Sequence, residues 1–435
     1  MVQVLDACAA LGIGDLHLAA SSLFPCHAAL IPRLRDGTVR RVTTSYLRGP
    51  LADHVAAGGL AEPVTLQTHG GRARAIASGA LAPDLSVIGA PAVSEAGLGG
   101  ADGASACGPL GYAMTEAAHA AHVIALAAER RALSRLCIPA DRVDALVMGD
   151  PGDPAGIASG TTAARPSGAG RAIADLCLAA MDALGAVREG MTFQAGAGAT
   201  AMAVTEGLGH ALAARGATGG WACGGIAAAA VRLHRAGLMR GLRDVQAFDA
   251  AAVASYRDDP AHAALSAEAY ASPDAAAAVD GLDVAVLGAA EVDARFDVNV
   301  TTTAGGRIIG GSGGHADVAE GARLTIVATP LRAGAAAKLV PRVAHVTTEG
   351  RHVDLVVTEI GIAARDPDRA ARLRAAGLPV RAIAALVREA APHPPRVPGG
   401  RIVARAEDRR GAPADVVRVS APSRQGTGPG VAGPR

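Results

Sequence analysis

Residues 283–300 read Asp-Val-Ala-Val-Leu-Gly-Ala-Ala-Glu-Val-Asp-Ala-Arg-Phe-Asp-Val-Asn-Val, and the order of residue types in this stretch sets the fold class. An aspartate introduces a short unbroken apolar run (283–287), glycine and alanine follow, and polar residues then arrive at once. Unbroken runs of this length suit strands buried on both faces, as in a parallel sheet covered by helices. Polar residues past the C-terminal end of such a strand stand where α/β proteins place their sites. Glu291 and Asn299 are singled out on that ground. A structural pairing of Glu291 with a neighbouring cation such as Arg295 explains it equally well.

The same signature recurs at 84–89, 122–126, 144–148, 324–329 and 353–358. Longer Ala/Leu/Arg segments such as 170–184 and 369–376 lie between these runs. The alternation predicts an α/β chain with doubly wound, mainly parallel sheets. Alanine is so abundant that helices are not inferred from alanine runs alone. Residues 150–170 gather Pro, Gly, Ser and Thr, a composition that favours a surface connection. They divide the chain into domains at 1–160 and 161–420. Residues 401–407 and 414–419 read as a hairpin about a turn at 408–411. Residues 421–435 lack periodicity and are expected to be disordered.

With 435 residues, half of them hydrophobic but only 2% aromatic, the core must be built from Ala, Val, Leu and Ile. The 41 basic and 40 acidic residues nearly cancel, so the basic excess of a nucleic-acid binder is missing. No run approaches the roughly 20 apolar residues that span a bilayer. The first residues lack the basic and apolar regions of a signal peptide. The chain is therefore expected to be soluble and cytoplasmic, with neither a membrane nor nucleic acid as partner. Its six cysteines show no paired spacing, and His119 and His122 have no carboxylate ligand set nearby. No metal site is expected, and the cysteines read as small buried thiols.

Three glycine clusters carry most of the chemical information: Phe193-Gln-Ala-Gly-Ala-Gly-Ala-Thr200, Trp221-Ala-Cys-Gly-Gly-Ile226 and Gly310-Gly-Ser-Gly-Gly-His-Ala-Asp317. Glycine lets backbone N–H groups approach a ligand, and such a loop opening a helix holds anions on free amides. Gly196-Ala-Gly198 lacks the third glycine and the acidic residue of a dinucleotide fingerprint, and no P-loop signature occurs. Taken singly, each cluster suits a tight turn as well as a ligand site.

Several ordered segments resemble one family. They are Gly14-Asp-Leu-His-Leu-Ala-Ala-Ser-Ser22, Thr44-Ser-Tyr-Leu-Arg-Gly49, Thr68-His-Gly-Gly-Arg72, Cys107-Gly-Pro-Leu-Gly-Tyr112, residues 193–205, Glu291-Val-Asp293, 296–300 and 310–317. Together they are similar to the citrate lyase α-chain family, within the CoA-transferase superfamily. That resemblance implies two related CoA-transferase-like (NagB/RpiA-like) domains facing each other across the site. It also implies exchange of acetyl for citryl on the thiol of an acyl-carrier thioester or of CoA, with release of acetate. Implied partners are a β (citryl lyase) subunit and a γ acyl carrier protein. The CoA-like prosthetic group belongs to the carrier, and no cofactor is covalently attached to this chain.

Many CoA-transferases use a glutamate nucleophile, but the comparable stretch, 224–234, contains no carboxylate. The resemblance therefore favours direct attack of a citrate carboxylate on the thioester, through a mixed anhydride. Glu291, Gly196 and Gly198 are the catalytic candidates, the glycines as N–H donors to the developing oxyanion. Gly224, Gly225, Asn299, Gly313, Gly314 and His315 are candidates for holding the CoA-type thioester. Arg48 and Arg72 are candidates for gripping substrate carboxylates, and ordinary salt bridges account for them as well. Glu291 is open to three roles: orienting a carboxylate, binding the pantetheine arm or bracing its loop. Family members begin with a longer N-terminal segment, which keeps open a scaffold reading in which the chain only holds the other subunits together. A transferase or hydrolase acting on free acyl-CoA is the other alternative.

Overall fold

The computed structural model describes residues 1–152, 165–390 and 400–419. Its centre is an eight-stranded sheet in the spatial order His262–Ala264, Met239–Ala247, Gly219–Ile226, Thr192–Ala195, Val284–Leu287, Leu324–Ala328, Leu355–Thr358, Gly361–Ala364. All neighbours are parallel except the last pair. From Thr192–Ala195 the chain adds strands outward on one side. It then returns to lay Val284–Leu287 on the other side of the starting strand. The order therefore reverses between these two strands, which opens a crevice at their C-terminal ends.

The apolar runs become strands because both faces of this sheet are covered. Val284, Ala285 and Val286 are fully buried and Leu287 nearly so; sequestering each of the larger side chains is worth about 1.5–3 kcal/mol. Helices Gly168–Ala183 and Ala199–Ala214 pack on one another and, through Ile173, Cys177, Val204 and Leu208, on the sheet. The Ser167 hydroxyl accepts the Gly170 N–H at 3.0 Å and starts the first of these helices. All six expected strands are present, as are helices at both expected segments.

The second glycine cluster is a strand and not a loop. In Gly219–Ile226 the glycines mark close approach: a Cβ on Gly220 would stand 2.7 Å from the Gly190 carbonyl oxygen, and one on Gly225 would stand 2.0 Å from the Phe248 ring. Composition hid this strand because close backbone approach and turn formation both select glycine.

The N-terminal half holds two further sheets. In one, Leu85–Ser94 and His122–Arg130 run parallel with Ala145–Met148, flanked by the short strands Gly97–Gly99 and Ile138–Pro139. In the other, Leu16–Ala20, Val39–Thr44 and Val64–Leu66 are parallel, and the expected hairpin joins them as Arg401–Glu407 and Pro413–Val419. Ala404, Arg405 and Ala406 pair in parallel with Val64, Thr65 and Leu66. The hairpin, placed after residue 161 by sequence order, thus completes a sheet of the first half. The expected tail (421–435) and residues 153–164 of the expected connection lie outside the described residues.

Backbone contacts lock the halves together. Gly313 N–H donates to Ser45 O at 3.0 Å and His69 N–H to Gly313 O at 2.8 Å. A Cβ on Gly311 would lie 2.3 Å from Ser45 O, so only glycine fits this seam. From the hairpin turn, the buried Arg409 forks onto Asp280 at 2.7 and 2.9 Å and reaches Ala271 O at 2.8 Å. Among the described residues no helix is long and apolar enough to cross a membrane.

Candidate active site

A cleft of about 670 Å³ opens where the strand order reverses, a volume in the range of small-molecule sites. Its floor is built from the C-terminal ends of the central strands: Ala195, Gly225, Val245, Leu287 and Ala328. The opposite wall comes from the N-terminal half. Tyr46 lies just past Val39–Thr44, His69 follows Val64–Leu66, and Tyr112 opens the helix Gly111–His119. A second cavity, of about 50 Å³, lies beside the hairpin and has room for only a few waters.

The first glycine cluster leads directly into helix Ala199–Ala214, whose N-cap is Gly198 with no side-chain cap. The first turn closes when Met202 N–H donates to Gly198 O at 2.9 Å. Among the described residues, the N–H groups of Gly198, Ala199 and Thr200 have no protein acceptor. They line the cleft, where the positive end of the helix dipole adds to their pull on an anion.

The facing side chains are neutral with one exception. Burial, reinforced by the nearby Arg72 charge, drives the His69 imidazole down to about 3. Its ring packs at a tilt against Tyr112, with the centroids 4.5 Å apart, and burial pushes the Tyr112 phenol up. His315 is clamped between Thr348 Oγ1 at 2.7 Å and the Gly288 carbonyl at 2.9 Å, and burial holds it at about 4. Gln194 donates to the Tyr270 hydroxyl at 2.8 Å. The exception is Lys338, whose ammonium donates to the Ala289 carbonyl and whose pKa burial lowers. Among the described residues, no Asp, Glu or Cys lines the cleft. Cys223 lies behind Gln194, donates to its Oε1 at 3.2 Å and has its thiol pushed up by burial.

Of the residues singled out in the sequence, Gly196, Gly198, Gly225, Gly314 and His315 line this cleft. The others require correction. Glu291 lies outside the lining, in the strand Glu291–Asp293, opposite Asn299 in an antiparallel pair. Its carboxylate accepts from Asn299 Nδ2 at 2.9 Å. Asn299 also bonds Thr302 through Nδ2, and its Oδ1 accepts the N–H groups of Thr301 and Thr302 at 3.0 and 2.9 Å. Asn299 is thus fully engaged, and Glu291 Oε2 also accepts the Ala344 N–H at 3.4 Å, so the buried pair braces the turn.

Gly196 cannot donate to an oxyanion because its N–H is bonded to Val286 O at 2.9 Å. Gly313 is likewise held on Ser45 O. Gly224, at φ +98°, backs onto the Gln194 amide outside the lining. Arg72 is buried and pairs with Glu116 at 2.7 Å, bracing two helices of the N-terminal half. Arg48 is exposed, lies outside the lining and makes no ion pair among the described residues.

Lining residues that the sequence did not single out include His69, Tyr112 and Lys338. His69 and Tyr112 stand inside quoted motifs, where the reading chose the neighbouring arginine and glycines. Lys338 carried the plainest signal, since it is the only lysine in the chain.

The sequence matches the family described as Citrate lyase, alpha subunit (CitF), over residues 1–419. It is 41% identical to the citrate lyase alpha chain of Escherichia coli (strain K12) over 389 residues, 87% of this chain and 76% of that one. The alpha subunit of citrate lyase from Streptococcus mutans, solved in complex with citrate, matches with a TM-score of 0.92 and 36% identity, covering 96% of this chain and 84% of that one. A 4-hydroxybutyrate CoA-transferase from Porphyromonas gingivalis shares the fold at a TM-score of 0.53 and 17% identity, covering 88% of this chain and 96% of that one.

Proposed function

The chain belongs to the citrate lyase alpha-subunit family, and on that premise we propose how its cleft exchanges acetyl for citryl on a thiol. The chain is the citrate CoA-transferase component. The thiol is that of a CoA-type group carried by a small acyl-carrier partner, for which free CoA substitutes. A lyase subunit of the same complex consumes the citryl thioester.

A citrate carboxylate oxygen attacks the acetyl carbonyl carbon, a C–O bond forms, and the carbonyl electrons move onto oxygen. The N–H groups of Gly198, Ala199 and Thr200 receive that charge at the helix start; in acyl transfer one such donor is worth about 3–4 kcal/mol. Collapse breaks the C–S bond and releases the thiolate, leaving acetyl–citryl anhydride. The thiolate then attacks the citryl carbonyl carbon, a new C–S bond forms, and acetate departs with the bridging oxygen. No proton moves, which suits a wall whose two histidines stay neutral.

The observation that carries this route is the cleft lining, which among the described residues contains neither a carboxylate nor a thiol. The attacking carboxylate therefore comes from the substrate. The test is a single turnover with acetyl-CoA and citrate labelled with heavy oxygen, followed by mass spectrometry. Direct attack delivers labelled oxygen into acetate and adds no mass to the protein. Unlabelled first-turnover acetate, or a covalent adduct, would refute it.

A further inference from the structure

Lysine occurs once in this chain, at position 338, against forty arginines. That single ammonium is also the only ammonium or guanidinium among the cleft-lining residues. Its backbone is fixed on both sides, with its N–H on Leu331 O at 2.9 Å and its carbonyl accepting from Val292 N–H at 2.7 Å. The side chain reaches Ala289 O, just past the end of the central strand Val284–Leu287. An ammonium has three protons, so one bond to a carbonyl leaves two for a ligand. Other polar residues that line the same cleft are neutral: Tyr46, Tyr112, Tyr270, Gln194, and the two histidines that burial keeps unprotonated. A partly buried cation with one neutral partner and an open cleft before it is poised for an anion. Elsewhere arginine serves every cationic role in this protein. Here the cation is a compact ammonium and not a planar five-donor fork.

We infer that Lys338 holds a carboxylate of the tricarboxylate substrate, in the same cleft as the amide cradle that opens helix Ala199–Ala214. This rests on the proposed acceptor being citrate and adds the residue that recognises its charge. The amides receive the negative charge that develops during reaction; the ammonium receives the charge the substrate brings. A substrate carboxylate bound there leaves another free to attack.

A sole lysine is its own probe. Incorporating lysine labelled with nitrogen-15 at Nζ gives one side-chain signal and leaves all three of its N–H donors in place. In the full chain that signal is expected to shift saturably with citrate, at a midpoint matching the citrate KM, and to ignore acetate at equal concentration. In acyl exchange with acetyl-CoA, K338M is expected to raise the citrate KM roughly 10- to 100-fold, the loss of one charged hydrogen-bond contact, and to leave the acetyl-CoA KM unchanged. K338R keeps the charge and is expected to bind citrate more tightly than K338M. A signal indifferent to citrate in active protein, or equal losses in K338M and K338R, overturns the inference while leaving the transferase reading intact. Unmodified protein that neither binds citrate nor forms citryl-CoA overturns both.

Discussion

Ala199→Pro isolates the amide cradle from everything else in the cleft. Ala199 is the first residue of its helix, the position at which proline is best tolerated, because the N–H has no helical acceptor there and the fixed φ of proline suits a helix start. Gly198 before it has φ −122° and ψ 156°, the extended conformation a following proline requires. The substitution therefore deletes one N–H donor and little else. Stability should stay within about 1 kcal/mol of the parent, since lost unfolded-state freedom favours the variant. If that N–H receives the oxyanion, kcat for citryl-CoA formation falls about 100- to 1000-fold, equivalent to about 2.7–4 kcal/mol. Ala199→Gly, which keeps the N–H, should stay within a few-fold of the parent. The assay is initial-rate citryl-CoA formation at saturating citrate and acetyl-CoA, with thermal unfolding measured alongside. A proline variant of unchanged Tm and kcat within threefold of the parent would refute the cradle. A raised KM with intact kcat would show that the ring only obstructs the cleft.

Three further outcomes follow from the same geometry. Glu291→Gln weakens the charge-assisted bond from Asn299 and should lower stability by about 1–2 kcal/mol while kcat changes less than tenfold; a 100-fold loss of kcat at unchanged Tm would return Glu291 to the chemistry. Arg72→Met strips Glu116 of its partner and should lower stability by about 2–4 kcal/mol without moving the citrate KM, as read by chemical denaturation and kinetics. His69 and His315 have folded pKa values of about 3 and 4, below the ordinary 6.5, so the unfolded chain binds more protons in that interval and their contribution to stability is lost as pH falls from 6.5 towards 4. Asp317, raised by burial to about 7 from an ordinary 3.8, acts in the opposite sense over nearly the same range. Tm measured against pH should accordingly fall less steeply in His69→Gln and more steeply in Asp317→Asn.

The α/β fold was legible wherever a strand is long enough and apolar enough to announce itself. Residues 324–329 and 353–358 needed no more than their Val and Ile. Gly219–Ile226 hid because its glycines serve crowded backbone contacts with Gly190 and Phe248, which no local pattern records. Leu16–Ala20 and Val64–Leu66 are short, partly polar strands, and the strand Arg401–Glu407 that closes the second comes from the far end of the sequence. The site was half legible for a related reason. All three glycine clusters reach the cleft, yet sequence does not say which N–H is already bonded, and Gly196 and Gly313 are. Glu291 looked catalytic because a buried carboxylate after a strand has the same one-dimensional signature whether it faces a ligand or an asparagine. Lys338 went unnoticed because rarity within one composition is a property of the whole chain and not of any motif.

The hairpin that completes the first sheet sets a schedule for synthesis. Gln67 and Glu407 are hydrogen-bonded across 340 positions of sequence. At about 5–20 residues per second, a ribosome needs roughly 20–70 s to travel that distance. Throughout this interval Val64–Leu66 is an unpaired edge, open to any extended peptide nearby. The N-terminal half therefore waits for the C-terminal end of the chain, and Arg409 arrives with that same hairpin to fasten it to the other half. A ribosome that stalls or stops before residue 400 releases a chain whose first sheet lacks its closing strands, whatever the state of the eight-stranded sheet. Such products are natural clients for chaperones and proteases, a form of quality control that the topology itself imposes.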